Sequence, residues 1–156
     1  MKVGTDGILL GAWCSPCDTN VATPRILDIG TGTGLIALML AQRNPRALVD
    51  AIEIDSAACE QAAENLAASP WSERLLAISG CVKNLRVDWK YDLIVSNPPW
   101  FSDSLKSPSD ARNNARHDDT LNALDLLVSV DRLLTRDGRF STVLPSPRGR
   151  TFIENA

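Results

Sequence analysis

The 156-residue sequence is poor in several features on which common functions depend. It has one histidine, His117, and four cysteines, Cys14, Cys17, Cys59 and Cys81. Only Cys14 and Cys17 stand close together. A tetrahedral zinc site needs a second close pair of Cys or His, and a thioredoxin-like motif follows a strand; neither condition is met. The thiols therefore read as reduced cysteines of a cytoplasmic chain, and no metal ligands are expected. The apolar stretch Leu35 to Leu40 is far shorter than the ~20 residues that cross a bilayer, so no membrane association is expected. The N-terminus lacks the basic-then-apolar pattern of a signal peptide, which again favours the cytoplasm. Positive charge is also lacking overall: the formal net charge is −3, which excludes a broadly basic nucleic-acid binder. No internal repeat or low-complexity tract is present.

What the chain does have is 44% hydrophobic and 22% charged residues, the balance of one globular domain over 1–156 with a real core. Arginine is concentrated in the second half, at Arg112, Arg116, Arg132, Arg136, Arg139, Arg148 and Arg150, which leaves room for a local basic patch. Strand-like and helix-like segments alternate. Arg25 to Ile29, Val49 to Ile54, Leu75 to Ser79, Tyr91 to Ser96 and Arg139 to Leu144 read as strands. Leu35 to Arg43 reads as a helix stopped by Asn44-Pro45, and Ala57 to Ala68 as one capped by Ser56 and stopped before Pro70. Leu121 to Leu134 has helical apolar spacing, with Asp118, Asp119 or Thr120 as caps and Gly138 just past its end. This order predicts an α/β fold, a Rossmann-like, doubly wound, mainly parallel sheet with helices on both faces. The polar stretch Ser102 to Asp119 is expected to be a long functional loop. Further strands normally complete such a sheet after the last crossover, so the chain reads as truncated at its C-terminus and open to truncation at its N-terminus. Arg139 to Leu144 would then be a sheet edge, open to pairing with a second copy of the chain.

Two turns carry the chemistry. In Ile26-Leu27-Asp28-Ile29-Gly30-Thr31-Gly32-Thr33-Gly34 a strand enters a tight glycine turn and then a helix, where doubly wound folds bind nucleotide-like ligands. The third glycine comes one residue too early for the dinucleotide fingerprint Gly-x-Gly-x-x-Gly, whose last position falls on Leu35. No Gly-Lys-Ser/Thr follows, which excludes a Walker-type phosphate loop. Glu53, at the end of the second strand, is placed to accept hydrogen bonds from ribose hydroxyls; Asp55 is the alternative, or else serves the helix start at Ser56. The second turn is Asn97-Pro98-Pro99-Trp100. Proline fixes φ, lacks an N–H and drives the preceding residue out of the α region. The turn is therefore rigid and frees the Asn97 side-chain oxygen and the Pro98 carbonyl, beside an aromatic ring, to grip a planar amino group.

With these residues in place, the chain resembles the class I S-adenosylmethionine-dependent methyltransferases, and among them the group whose Asn-Pro-Pro-aromatic turn methylates planar amino nitrogens. Met1-Lys2-Val3-Gly4-Thr5-Asp6-Gly7-Ile8-Leu9-Leu10-Gly11-Ala12-Trp13, Ser69-Pro70-Trp71 and the stretch Ala111 to His117 are similar to the tRNA (adenine-N6) methyltransferases that act beside the anticodon of valine tRNA. The resemblance implies S-adenosylmethionine as cofactor, with S-adenosylhomocysteine as product, and tRNA as partner. It implies a catalytic turn at Asn97, Pro98, Pro99 and Trp100, with Asn97 also near the cofactor. It implies cofactor contacts at Gly30, Thr31, Gly32, Gly34, Glu53 and Ile54, with Thr5 and Asp6 near the methionine end. Asp28 is expected to support the glycine loop through backbone N–H groups. Trp100 would stack on the base, and Arg112 and Arg116 would meet tRNA phosphates. His117 is not needed as a base before transfer.

The chain departs from the family pattern where relatives carry an acid that accepts the cofactor's adenine amino group: Gly80-Cys81-Val82 stands there instead. A thiol is a weaker acceptor, so weaker binding or a backbone contact at Cys81 or Val82 is expected. Trp100 replaces the commoner Tyr. Rival readings are a release-factor glutamine methyltransferase, a ribosomal RNA guanine or DNA adenine methyltransferase and, from another class, a non-catalytic module that binds cofactor weakly or pairs through its sheet edge.

Overall fold

Short segments rich in Ile, Leu and Val form the strands, and glycine and proline punctuate them. The computed structural model describes residues 4–14, 21–98 and 123–144. The elements are α1 (Thr5–Trp13), β1 (Arg25–Ile29), α2 (Leu35–Arg43), β2 (Leu48–Glu53), α3 (Ser56–Ala67), β3 (Leu75–Ser79), β4 (Tyr91–Ser96), α4 (Ala123–Leu133) and β5 (Leu134–Thr142), with single 3-10 turns at Ser72–Arg74 and Val82–Asn84. The strands form one sheet in the order β3-β2-β1-β4-β5, every pair parallel. β1, β2 and β4 are almost wholly buried, as expected for parallel strands covered on both faces.

One face of the sheet presents Ile26, Val49, Ala51, Leu93 and Val95 to α1, α2 and α3, through Leu10, Ile36, Leu40 and Leu66. The other presents Leu27, Ile29, Ile52 and Ile94 to Val82 and to Leu126, Val130 and Leu133 of α4. On this second face the buried Tyr91 hydroxyl donates to Asp50 Oδ2 at 2.7 Å, satisfying a carboxylate inside the sheet layer. The strand order reverses between β1 and β4, so their carboxyl ends border the crevice where open α/β sheets hold ligands.

The expected fold class holds, with local corrections. β2 begins and ends one residue earlier than Val49 to Ile54. α3 begins at Ser56 itself, and its cap is Asp55, whose Oδ1 accepts from Ala58 N at 2.8 Å. A carboxylate at this position both takes an orphan N–H and complements the helix dipole, which a serine hydroxyl does only in part. α1 was not foreseen, because Gly4, Gly7 and Gly11 weaken local helix propensity. Gly138 is not a helix stop: β5 starts directly after α4, and between the pairs Tyr91–Leu134 and Leu93–Arg139 it bulges, with Gly138 tight against Leu134 and Thr135. The expected caps of α4 at Asp118, Asp119 and Thr120 lie outside the described residues. Among the described residues β5 is an edge strand.

Candidate active site

At the carboxyl end of β1 the main chain turns through Gly30, Gly32 and Gly34, all at positive φ (69°, 59° and 86°), a region that L side chains with a Cβ rarely enter. Gly34 stands immediately before α2 in left-handed conformation, and a Cβ there would lie 3.2 Å from Leu66 Cδ2. The turn is tied down on three sides. Gly30 N and Thr31 N donate to Ile52 O in β2 at 2.9 and 3.2 Å. Asn65 Nδ2 donates to Thr33 O at 2.9 Å from α3. Gly32 N donates to Glu53 Oε2 at 2.9 Å.

Glu53 is buried, and its other oxygen accepts from Ile54 N and Asp55 N at 2.9 and 3.0 Å. Three main-chain N–H groups therefore hold this carboxylate in one orientation at the end of β2, and a carboxylate has room for about four donors. Ile54 beside it is exposed, while Asp55 is turned to its helix cap. This leaves Glu53 as the acid aimed at the crevice. Across the crevice Gly80 N donates to Glu53 O at 2.8 Å, which brings the Gly80-Cys81-Val82 segment alongside. Cys81 is half-buried at the start of the 3-10 turn, and Val82 is buried in the core.

Asp28 supports the loop, though not as expected. Its Oδ2 accepts from the Thr31 hydroxyl at 2.6 Å and from Ala37 N, in the first turn of α2, at 3.1 Å. It thus joins a loop side chain to the start of the helix rather than collecting glycine N–H groups, which the positive-φ turn points elsewhere. Burial pushes the Asp28 carboxyl up from 3.8 to about 6, with the charge of Glu53 adding to the shift and the two hydrogen bonds opposing it. Its Oδ1 is buried and has no hydrogen-bond partner among the described residues. With nothing within 4 Å of where a Gly30 Cβ would stand, the turn leaves room for a ligand close to the main chain. An open glycine turn beside a carboxylate with acceptor capacity to spare fits S-adenosylmethionine, from a ribose hydroxyl of which Glu53 would accept.

At the carboxyl end of β4, Ser96 Oγ donates to Ile29 O at 2.9 Å, fastening the start of the second turn to the last residue of β1. Asn97 and Pro98 follow, both half-buried. Gly7 of α1 lies over this turn: a Cβ on it would stand 3.7 Å from Asn97 Nδ2. Thr5 and Asp6 occupy the exposed first turn of α1, next to this contact. The structure thus brings Gly30, Thr31, Gly32, Gly34, Asp28, Glu53, Asn97 and Pro98 to one end of the sheet. Pro99, Trp100, Arg112 and Arg116 lie outside the described residues. Sequence reasoning missed the contact of Gly7 with Asn97; the spacing of Gly4, Gly7 and Gly11, one helical turn apart, was the available signal.

Residues 15–146 match the family model described as methyltransferase small domain. The chain is 53% identical, over all of its length, to tRNA1(Val) (adenine(37)-N6)-methyltransferase of Parabacteroides distasonis, and covers 65% of that protein. It is 51% identical over 94% of its length to the protein of the same name from Aeromonas salmonicida, covering 60% of it. The chain therefore spans somewhat less than two thirds of these relatives. Among solved structures, it is similar to Arabidopsis thaliana protein arginine methyltransferase 10 (TM-score 0.55, 26% identity, 76% of this chain and 29% of that one). It also shares its fold with the glycopeptide N-methyltransferase MtfA complexed with S-adenosyl-L-methionine (TM-score 0.55, 16% identity, 76% and 46%).

Proposed function

The chain belongs to the methyltransferase small domain family, and from that premise we propose that it methylates the N6 amino group of an adenine in tRNA, using S-adenosylmethionine. The names of its relatives point to adenine 37 of a valine tRNA. Such a substrate goes with a cytoplasmic chain. The observation that carries the reading is the bond from Ser96 Oγ to Ile29 O at 2.9 Å, which locks the Asn97-Pro98 turn beside the glycine turn on the neighbouring strand.

The chemical difficulty lies in the adenine amino group, whose lone pair is delocalised into the ring. Asn97 Oδ1 and the Pro98 carbonyl each accept one amino N–H, which draws the nitrogen toward tetrahedral geometry and aims its lone pair into the crevice. Fixed acceptors also stabilise the positive charge that grows on nitrogen during in-line transfer. When bound, S-adenosylmethionine supplies an activated sulfonium methyl, so the residues here need only position the nucleophile. Asp28 supports the glycine loop from beneath, Glu53 accepts from the ribose, Gly30, Thr31, Gly32 and Gly34 admit the cofactor close to the main chain, and Ile54, Cys81 and Val82 border its base, with Thr5 and Asp6 at the opposite end. Pro99 stiffens the turn, Trp100 stacks on the target base, and Arg112 and Arg116 meet phosphates. An anticodon-loop base is already partly unstacked, so its entry costs less than flipping from a duplex.

Titration calorimetry with S-adenosylmethionine and S-adenosylhomocysteine tests the cofactor site, with Gly32→Asp as the blocked control. Saturable binding lost in the variant supports the site, and methyl transfer to a valine tRNA transcript but not to one lacking the target adenine supports the substrate. Absence of binding by the unaltered chain would overturn the enzyme reading in favour of a non-catalytic module.

A further inference from the structure

α1 is an unusual helix for its position. It has nine residues, no side-chain N-cap, and Leu10 as its one large buried side chain. Its packing partner is α2. Two features replace the missing apolar contact. First, Gly11 meets Met39 so closely that a Cβ would lie 2.7 Å from the Met39 sulfur, so the helices touch main chain to side chain. Second, Arg43 at the end of α2 reaches across and donates through Nη1 to Gly11 O and to Cys14 O, both at 2.7 Å. These carbonyls belong to the last turn and exit of α1, where a cation satisfies orphan acceptors and complements the helix dipole. Cys14, just beyond the helix, is buried against the same core as Leu93 and Val95 of β4. The other end of the inner face is Gly7, where an added Cβ would stand 3.7 Å from Asn97 Nδ2 and 3.9 Å from Ile36.

We propose that α1 is the positioning element for the Asn97 carboxamide, and that Arg43 is a positioning residue that sets it by clamping the far end of that helix. Gly7 leaves about the width of one methyl between the helix and the side-chain nitrogen of Asn97, so where α1 stands sets how far that amide can swing away from the crevice. Arg43 touches neither Asn97 nor the glycine turn; it acts by fixing where Gly7 stands. The catalytic meaning of this coupling rests on the methyl-transfer reading of Asn97 given above, whereas the coupling itself does not.

A comparison of two arginines separates positioning from plain stability. Arg74 also spends its guanidinium on main-chain carbonyls, those of Ala41, Asn44 and Ala47 at the end of α2, but it does not contact α1. In 15N-labelled chain, the side-chain amide signals of Asn97, assigned by their loss in Asn97→Asp, are expected to shift or broaden in Arg43→Met. They are expected to stay in place in Arg74→Met, although both variants lower the melting temperature. Gly7→Ala supplies the opposite case: the added methyl finds ordinary contact distances and favours the helix, so the chain should melt no earlier while the Asn97 signals still move. At saturating substrates, Arg43→Met should lower kcat roughly 10- to 100-fold, as a displaced catalytic group does, with Arg43→Lys recovering part of the loss. Unchanged Asn97 signals in both Arg43→Met and Gly7→Ala, or equal losses of kcat in Arg43→Met and Arg74→Met, overturn the proposal. If the Asn97 signals respond but no methyl is transferred by the unaltered chain, the positioning role stands and the catalytic reading falls.

Discussion

The glycine turn and the Asn97 turn end neighbouring parallel strands, yet they are held in different ways. The glycine turn is enclosed by its own sequence neighbourhood: β2 takes two of its N–H groups, Glu53 takes a third, and Asn65 of α3 holds Thr33. The Asn97 turn is fastened to distant chain, Ile29 of β1, through Ser96, and Gly7 of α1 stands about a methyl's width from its outer side. The difference fits what each turn would do in the proposed reaction. A cofactor site that admits a ligand to the main chain needs a rigid main chain, whereas an amide that presents an acceptor needs its side-chain rotation limited from outside.

The largest effect expected from breaking this pairing is on chemistry. Asn97→Ala should reduce kcat by roughly 10²–10³, the usual loss when one preorganised polar group is removed, while S-adenosylhomocysteine affinity measured by calorimetry moves far less. Comparable losses of both would mean that the two turns form one unit. Next in size is the titration of Asp28. Its carboxyl is raised in the folded chain, from 3.8 to about 6, so well below pH 3.8 both states are protonated and the group has no effect. As the pH rises through this window the unfolded chain releases the proton first, so the folded state loses relative stability until about pH 6, by ~3 kcal/mol at most. Urea unfolding across this range should therefore show the unaltered chain losing stability relative to Asp28→Asn from pH 4 to 6, with the difference constant above that.

Gly34→Ala probes the main-chain side of the comparison. A left-handed conformation costs an L residue ~1–2 kcal/mol, and the new methyl must also displace Leu66 Cδ2 from 3.2 Å. A variant as stable to urea as the parent would show that the turn relaxes and is not locked by its surroundings. The smallest effect is that of Asp55→Ala, which removes the cap on Ala58 N and should cost ~1 kcal/mol. Because Asp55 faces its helix and Glu53 faces the crevice, this substitution should leave cofactor affinity unchanged, whereas Glu53→Gln should weaken it.

The same contrast explains what could be read in advance. β1, β3, β4 and α2 fall where expected, since glycine or proline marks their ends and the apolar runs are unbroken. The glycine turn and Glu53 were legible because each stands at the end of a strand in sequence, but the tie from Asn65 of α3 to Thr33, 32 residues apart, was not. α1 was not, because nothing local favours a helix across Gly4, Gly7 and Gly11, and what holds it is Arg43, 32 residues from Gly11. The bulge in β5 was hidden too. Asp137-Gly138 looks like a helix stop, and only pairing with Tyr91 and Leu93 shows that the strand has already begun. The role of Asp28 was half legible: its place before the glycines suggested support, but its bond to Ala37 N depends on how α2 is seated.

Arg43, Arg74 and Arg132 all give their guanidinium N–H groups to main-chain carbonyls. Contacts between a charge and a partly buried dipole are screened far less by salt than contacts between exposed charges. Binding to nucleic acid behaves in the opposite way, since every phosphate contact releases counterions and weakens steeply as salt rises. Ionic strength should therefore act as a handle that detaches an RNA partner from this chain while its architecture stays intact, so that occupancy of the two ligands can be set independently in one sample.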